Sequence, residues 1–169
     1  MSFHAIDPKA LAVNPFSAIG DEWLLLSAGD ASGCNTMTAS WGALGVLWGK
    51  NTATCYVRPT RYTREFMEKN SLFTITVLKE GYRDALALCG RVSGRDCDKI
   101  AKAGLHPVYL DGTVGFEEAR LTLVCRKMAV SRFDPAEFLD AEIDARWYPQ
   151  KDYHYIYYGE ILKAYADEA

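Results

Sequence analysis

The sequence predicts a mainly β chain: a barrel with short helical excursions, as opposed to alternating βαβ units. Three observations lead there. Strand-like segments recur along the chain and outnumber the helical ones. The helical segments are short and sit between strands as inserts. Two segments toward the carboxyl end, residues 119–131 and 153–165, are long enough to curl around a barrel. Length agrees, since 169 residues fall within the usual single-domain range of about 100–200 and can bury one substantial core. No repeat, low-complexity segment or linker divides the chain, so residues 1–169 are expected to form one domain.

Taken in order, residues 22–28, 35–43 and 52–59 read as strands. Gly29-Asp30-Ala31-Ser32-Gly33 and Gly49-Lys50-Asn51 are the turns between them. A helix is expected over about 61–69, with Phe66 facing inward and Asn70-Ser71 ending it. Strand 73–78 follows. Helical segments come next near 84–88 and 96–103, the second stopped by Gly104 and Pro107. Residues 114–117 form a short strand before the two long ones, and the acidic run 134–144 reads as a solvated helix or loop.

The stretch Asn35-Thr36-Met37-Thr38-Ala39-Ser40-Trp41-Gly42 gives the two faces of a strand different tasks. Alternation puts Thr36, Thr38 and Ser40 on one face and Met37, Ala39 and Trp41 on the other. A row of hydroxyls ahead of Trp41-Gly42 suits a flat aromatic ligand with polar edges. It equally describes an ordinary hydroxyl-bearing face, because threonine favours strands.

The wording of this stretch resembles the N-x-M-T-x-S-W-G signature of the flavin reductase-like proteins, the flavoredoxin-type branch of the FMN-binding split β-barrels. Further segments match in the same order. Tyr56-Val57-Arg58-Pro59-Thr60-Arg61-Tyr62-Thr63 resembles the passage from a barrel strand into a helix, and Phe73-Thr74-Ile75-Thr76-Val77 the strand after it. Cys89-Gly90 with Ser93-Gly94-Arg95-Asp96-Cys97-Asp98-Lys99 is similar to the family's C-G-x-x-S-G-R-D-x-D-K run, followed by Gly104-Leu105. The resemblance covers roughly residues 20–165. It implies a Greek-key split barrel, bound FMN, and a homodimer that completes the flavin site. Asn35, Met37, Thr38, Ala39, Ser40 and Trp41 would then hold the flavin ring.

Arg58-Pro59-Thr60-Arg61-Tyr62-Thr63 has a reading of its own. Proline fixes the exit from the strand, Thr60 or Thr63 caps the helix, and free first-turn amides make an anion-seeking end beside Arg58 and Arg61. The usual fate of such arginines is solvation or pairing, here with Glu65 and Glu68. Resemblance implies flavin contact for Arg58, Thr60 and Arg61. In Ser93-Gly94-Arg95-Asp96 a small turn aims consecutive amides one way, Arg95 and Lys99 supply a fork and a point charge, and Asp96 is the expected N-cap. Resemblance makes Ser93, Arg95 and Lys99 holders of the FMN phosphate, with a subunit boundary nearby.

Other chemistries leave little trace. With 19 Lys plus Arg against 22 Asp plus Glu, a formal charge of −3, no basic surface invites nucleic acid. The longest apolar stretch, near 41–49, is far below the ~18 residues of a membrane span, and the amino terminus lacks a signal-peptide pattern. Cys34, Cys55, Cys89, Cys97 and Cys125 are odd in number and unpaired in spacing, so they read as reduced structural thiols in a cytoplasmic protein. There is no G-x-G-x-x-G, no G-x-x-x-x-G-K-[ST] and no G-x-S-x-G, and His4, His106 and His154 are too scattered for a metal site. Asp152-Tyr153-His154, ahead of Gly159-Glu160, resembles the family's D-x-H or D-H element, which places His154 at the open flavin face as the residue meeting the dinucleotide.

The activity this implies is two-electron chemistry at FMN: reduction by NAD(P)H, then transfer to free flavin or a redox partner protein. The alternative is a flavoredoxin-like electron carrier without a dinucleotide substrate of its own.

Overall fold

The computed structural model describes residues 4–167. Their strands are β1 (His4–Ile6), β2 (Leu24–Asp30), β3 (Gly33–Ala39), β4 (Gly42–Leu47), β5 (Lys50–Val57), β6 (Leu72–Leu78), β7 (Pro107–Leu110), β8 (Thr113–Phe116), β9 (Ala119–Arg132) and β10 (Tyr155–Ala166). The α-helices are α1 (Pro15–Ser17), α2 (Tyr62–Lys69), α3 (Arg83–Arg91), α4 (Lys99–Lys102) and α5 (Ala141–Trp147).

The main sheet is antiparallel and runs β3-β2-β6-β9-β10-β5-β4, with β1 added to β10. β3 and β4 are neighbours in the chain yet lie at opposite ends of this path. The single strand expected over 35–43 is therefore two. Ser40 and Trp41 turn a corner between them, because β3 pairs only with β2 and β4 only with β5. The barrel is closed there by covalent chain, without a ladder between its two ends.

β2 explains why the fold has two cores. All of its first six residues are buried. Leu24, Leu26 and Ala28 face the barrel interior with Val57, Phe73, Leu123 and Tyr157, while Leu25 joins Leu86, Cys89, Leu105 and Phe116 beneath α3. An apolar run without alternation is what a strand covered on both faces requires. The long strands curl through register shifts at Tyr158/Gly159 and Ile161/Lys163. Gly159 permits this closeness, since a Cβ there would stand 2.5 Å from the Phe73 ring.

Several local expectations are corrected. The β4–β5 turn is Trp48-Gly49, both at positive φ (52° and 71°), a two-residue hairpin that starts β5 two residues early. Asp111-Gly112, at 51° and 84°, makes the same kind of turn between β7 and β8, so the lone strand expected over 114–117 is one arm of a hairpin. Neither Thr60 nor Thr63 caps α2: the N-cap is Arg61 without a side-chain bond, and the Thr63 hydroxyl accepts from Asn35. Asp98 caps α4 by accepting from the Ala101 N–H, where Asp96 was expected. The segment 96–103 is too short of turns before that cap to be helical throughout. Part of the acidic run forms the exposed helix α5. No helix of the described residues is long and apolar enough to cross a membrane.

Candidate functional site

Where the sheet's two ends part at Ser40-Trp41, two small clefts adjoin. The first, about 150 Å³, is lined by Met37, Thr38, Ala39, Ser40 and Trp41 together with Tyr56, Arg58, Arg61 and His154. The second, about 200 Å³, is lined by Thr60, Arg61, Tyr62, Thr63 and Ser93, and by Arg58, Met37, Arg91, Val92 and Lys99. Met37, Arg58 and Arg61 belong to both, so the clefts are one depression with an aromatic end and a cationic end. Together they reach the lower part of the about 300–1,000 Å³ that small-molecule sites occupy.

The cationic end is built on the last turn of α3. Lys99 is only 4% exposed, and its ammonium donates to the carbonyls of Cys89 (3.1 Å) and Val92 (3.3 Å). Arg61 donates to the Gly90 carbonyl at 2.8 Å. Carbonyls at a helix C-terminus attract cations, which explains why the chain places these two side by side. Burial lowers the pKa of both; the nearby Arg61 adds to this at Lys99, and Arg58 adds to it at Arg61. Among the described residues no carboxylate lies within ion-pair distance of Arg61, Arg91 or Lys99. The first turn of α2 borders the same cleft through Tyr62 and Thr63, whose amides precede the first intrahelical bond, while the Arg64 N–H is taken by the Arg61 carbonyl at 3.1 Å. An anion is the complement of this end.

Arg58 is answered differently. Its guanidinium pairs with Asp152 at 2.7 Å, donates to the Trp147 carbonyl at 2.9 Å and lies 5.2 Å from the Tyr148 ring centroid. It is a strut between β5 and the segment before β10. Neither Glu65 nor Glu68 is its partner.

Two expected ligand contacts lie outside the clefts. Arg95 pairs with Glu65, donates to the Thr60 carbonyl and stacks over Tyr62 at 4.6 Å, which turns it away to the surface. Arg91, which the sequence reading passed over, lines the cleft in its stead. Asn35 is buried behind the Ser93-Gly94 turn, donating to Thr63 at 2.8 Å. The expected hydroxyl row is also corrected. Thr36 bonds to Ser27 at 2.7 Å, Thr38 donates to the Leu86 carbonyl, and only Ser40 keeps a free hydroxyl. β2 and α3 supply those partners, and neither was visible from alternation within one strand.

At the aromatic end Trp41 meets Trp147 edge to face at 5.0 Å and His154 at 5.1 Å. Beyond Trp41 opens a groove of about 1,150 Å³ whose walls include Phe16, Leu44, Phe138, Trp147 and Tyr148. Tyr56, a member of both first cleft and groove, and this aromatic wall were missed. Tyr56 lies in the motif beginning at residue 56, whereas Phe138 lies in the acidic run read only as solvated and Trp147 and Tyr148 just past it.

His154 is buried at 7% exposure. Burial first, then Arg58, drive its pKa down to about 4, against the pull of Asp152. Between that value and the ordinary 6.5 the unfolded chain binds a proton that the folded chain refuses. Stability contributed by neutral His154 is thus complete above pH 6.5 and lost as pH falls toward 4, by up to about 3 kcal/mol. Denaturant titrations of wild type and His154→Gln across pH 4–7 should converge toward the acid end; parallel curves would show that His154 titrates normally.

Burial pushes Cys55 up to about 12 and raises Cys89 and Cys125 as well, so these thiols are inert. Among the described residues no group of three or more His, Cys, Asp or Glu is placed to hold a metal ion.

The structure is thus an antiparallel barrel split beside a cleft with one cationic and one aromatic end. The Flavin reductase like domain model matches residues 16–169, and the chain belongs to that family. Among solved structures it is similar to flavoredoxin from Methanosarcina acetivorans, at 24% identity and TM-score 0.69, covering 87% of this chain and 69% of that one. It is also similar to the FMN-binding domain of a flavin reductases-like enzyme from Shewanella baltica OS155, at 18% identity, TM-score 0.70, and 98% and 78% coverage. A third is flavoredoxin of Desulfovibrio vulgaris (Miyazaki F), at 20% identity, TM-score 0.67, and 96% and 78% coverage. A search of curated proteins returns no match.

Proposed function

We propose that this chain is an FMN-binding oxidoreductase that takes electrons from NAD(P)H and passes them to free flavin or a redox partner protein. The observation that carries this reading is the pair Arg61 and Lys99: a half-buried guanidinium and a buried ammonium held by main-chain carbonyls, without a carboxylate, beside the first turn of α2. Such a place fits a phosphate, and the adjoining aromatic cleft fits a flat ring. Structural neighbours titled as FMN-binding, including a protein from Thermus thermophilus, support FMN as the flavin.

When bound, FMN supplies the two-electron redox chemistry. The chain supplies the rest. Arg61, Lys99, Thr60, Ser93 and the α2 amides fix the phosphate end, with Arg91 in the role first expected of Arg95. Met37, Thr38, Ala39, Ser40 and Trp41 position the ring. His154 stands at its open face. The five free cysteines suit a reducing compartment such as the cytoplasm.

A homodimer belongs to this reading. The exposed large apolar residues include Phe16 at 85%, Val46, Trp48, Trp41 and Trp147, more than a surface left in water usually shows. The tyrosines at the carboxyl end add little to it: Tyr153 and, in β10, Tyr157 are buried, and Tyr155 and Tyr158 are half-buried. Sedimentation should give a dimer; a monomer that retains FMN would remove the shared site.

The test of the activity is anaerobic mixing of the flavin-loaded protein with NADH or NADPH. Bleaching of the visible band by either supports the reductase. Flavin that stays oxidised with both, yet is reduced by dithionite, supports instead the carrier reading that the flavoredoxin neighbours favour.

A further inference from the structure

Beside His154 stands a residue that decides which of its ring nitrogens carries the proton. The Tyr148 hydroxyl lies 2.8 Å from His154 Nδ1. Burial keeps the imidazole neutral at physiological pH, so it holds a single N–H. Tyr148 is 2% exposed, so its hydroxyl depends on protein partners. Were Nδ1 to donate, the buried phenol hydrogen would have no acceptor, because Nδ1 is the one hydrogen-bond partner of that hydroxyl among the described residues. The arrangement that leaves the buried phenol hydrogen paired has Tyr148 donating to Nδ1, which puts the imidazole hydrogen on Nε2, facing the cleft. Nε2 has no protein partner among the described residues, and the ring lines the cleft with Met37, Trp41 and Arg61.

Tyr148 is itself well fixed. Its ring stacks on Phe138 at 5.9 Å, meets Tyr153 at 4.9 Å and lies under the Arg58 guanidinium. Burial raises its phenol above the usual value, so the hydroxyl keeps its hydrogen.

We propose that Tyr148 is a positioning residue that locks His154 in its Nε2–H tautomer, giving the cleft one neutral donor aimed at a carbonyl oxygen of the reductant, such as a nicotinamide carboxamide. The lock stands on the chain's own geometry; the identity of the acceptor rests on the reading under Proposed function. A neutral donor suits a neutral carboxamide beside Arg58 and Arg61, where a third positive charge would be repelled.

Nitrogen-15 NMR of the purified chain without flavin, at pH 7, tests the lock. In wild type, Nδ1 of His154 should resonate in the unprotonated range and Nε2 in the protonated range. Tyr148→Phe keeps the ring packing and should show a mixture of tautomers. A wild-type Nδ1–H, or an unchanged tautomer in Tyr148→Phe, overturns the lock, and the wild-type spectrum decides alone if the variant does not fold. In the flavin-loaded protein Tyr148→Phe should raise KM for NAD(P)H about two- to tenfold, the worth of one weakened hydrogen bond, with FMN affinity unchanged. An unaltered KM overturns the donor role. If neither dinucleotide reduces the flavin, the functional reading fails, and the spectra still decide the lock.

Discussion

Riboflavin is expected to bind at least about a hundredfold more weakly than FMN, although the two share the ring that the aromatic cleft receives. Each charge-assisted hydrogen bond to the phosphate contributes about 1.5–3 kcal/mol, and Arg61 and Lys99 both lose theirs when the phosphate is absent. The energetic logic is local. In the chain alone these cations sit at depressed pKa beside one another, supported by the carbonyls of Cys89, Gly90 and Val92. A dianion offsets that burial, and an uncharged ribityl chain does not. Equilibrium dialysis of both flavins against wild type and Lys99→Met checks the assignment. The variant should lose FMN affinity by about tenfold or more while riboflavin changes little. Arg95→Ala should leave both unchanged, because its partner is Glu65. Sensitivity to Arg95 with indifference to Lys99 would invert the site.

Gly94→Ala is expected to be the most damaging single methyl in the site. A Cβ at Gly94 would lie 2.1 Å from Asn35 Oδ1 and 3.1 Å from the Tyr62 ring. Asn35 has no room to retreat, since its amide is buried and committed to Thr63 and to the Thr36 carbonyl. Either the turn shifts or Asn35 abandons Thr63, and overpacking or an unpaired buried amide each costs about 1–3 kcal/mol. Denaturant unfolding should show that loss along with weakened FMN retention, because Ser93 moves with the turn. Gly33→Ala, where a Cβ meets nothing within 4 Å, is the control and should fall within about 0.5 kcal/mol of wild type. Asn35→Ala should relieve part of the Gly94→Ala penalty in the double variant; strict additivity would show that the two do not press on each other.

These two residues also mark what the sequence could and could not convey. The segments around residues 35–42, 56–63 and 93–99 are brought to one place, and the helix expected over 61–69 is α2 within one residue. The long closing strands are also where their length put them. What escaped was partnership. Asn35 reads as a ligand contact in a motif, yet its amide is spent on Thr63, 28 positions away. Thr36 and Thr38 alternate as a ligand-facing row would, but register with Ser27 and approach of α3 consume their hydroxyls. Arg91 and Arg95 are indistinguishable by composition, and it is Glu65, the Thr60 carbonyl and the Tyr62 ring that draw Arg95 away from the cleft. Tyr148 sits at the end of an acidic segment whose charges conceal the aromatic wall on its other side.

The central claim is that the cleft at the Ser40-Trp41 corner holds FMN by its phosphate and ring together. The most direct measurement is gel filtration of the purified protein after incubation with FMN, followed by the visible absorbance spectrum of the protein peak. A flavin band that travels with the protein, near one FMN per chain, and that is lost in Lys99→Met, is the predicted result. A colourless protein peak with all FMN recovered in the small-molecule fraction would contradict it.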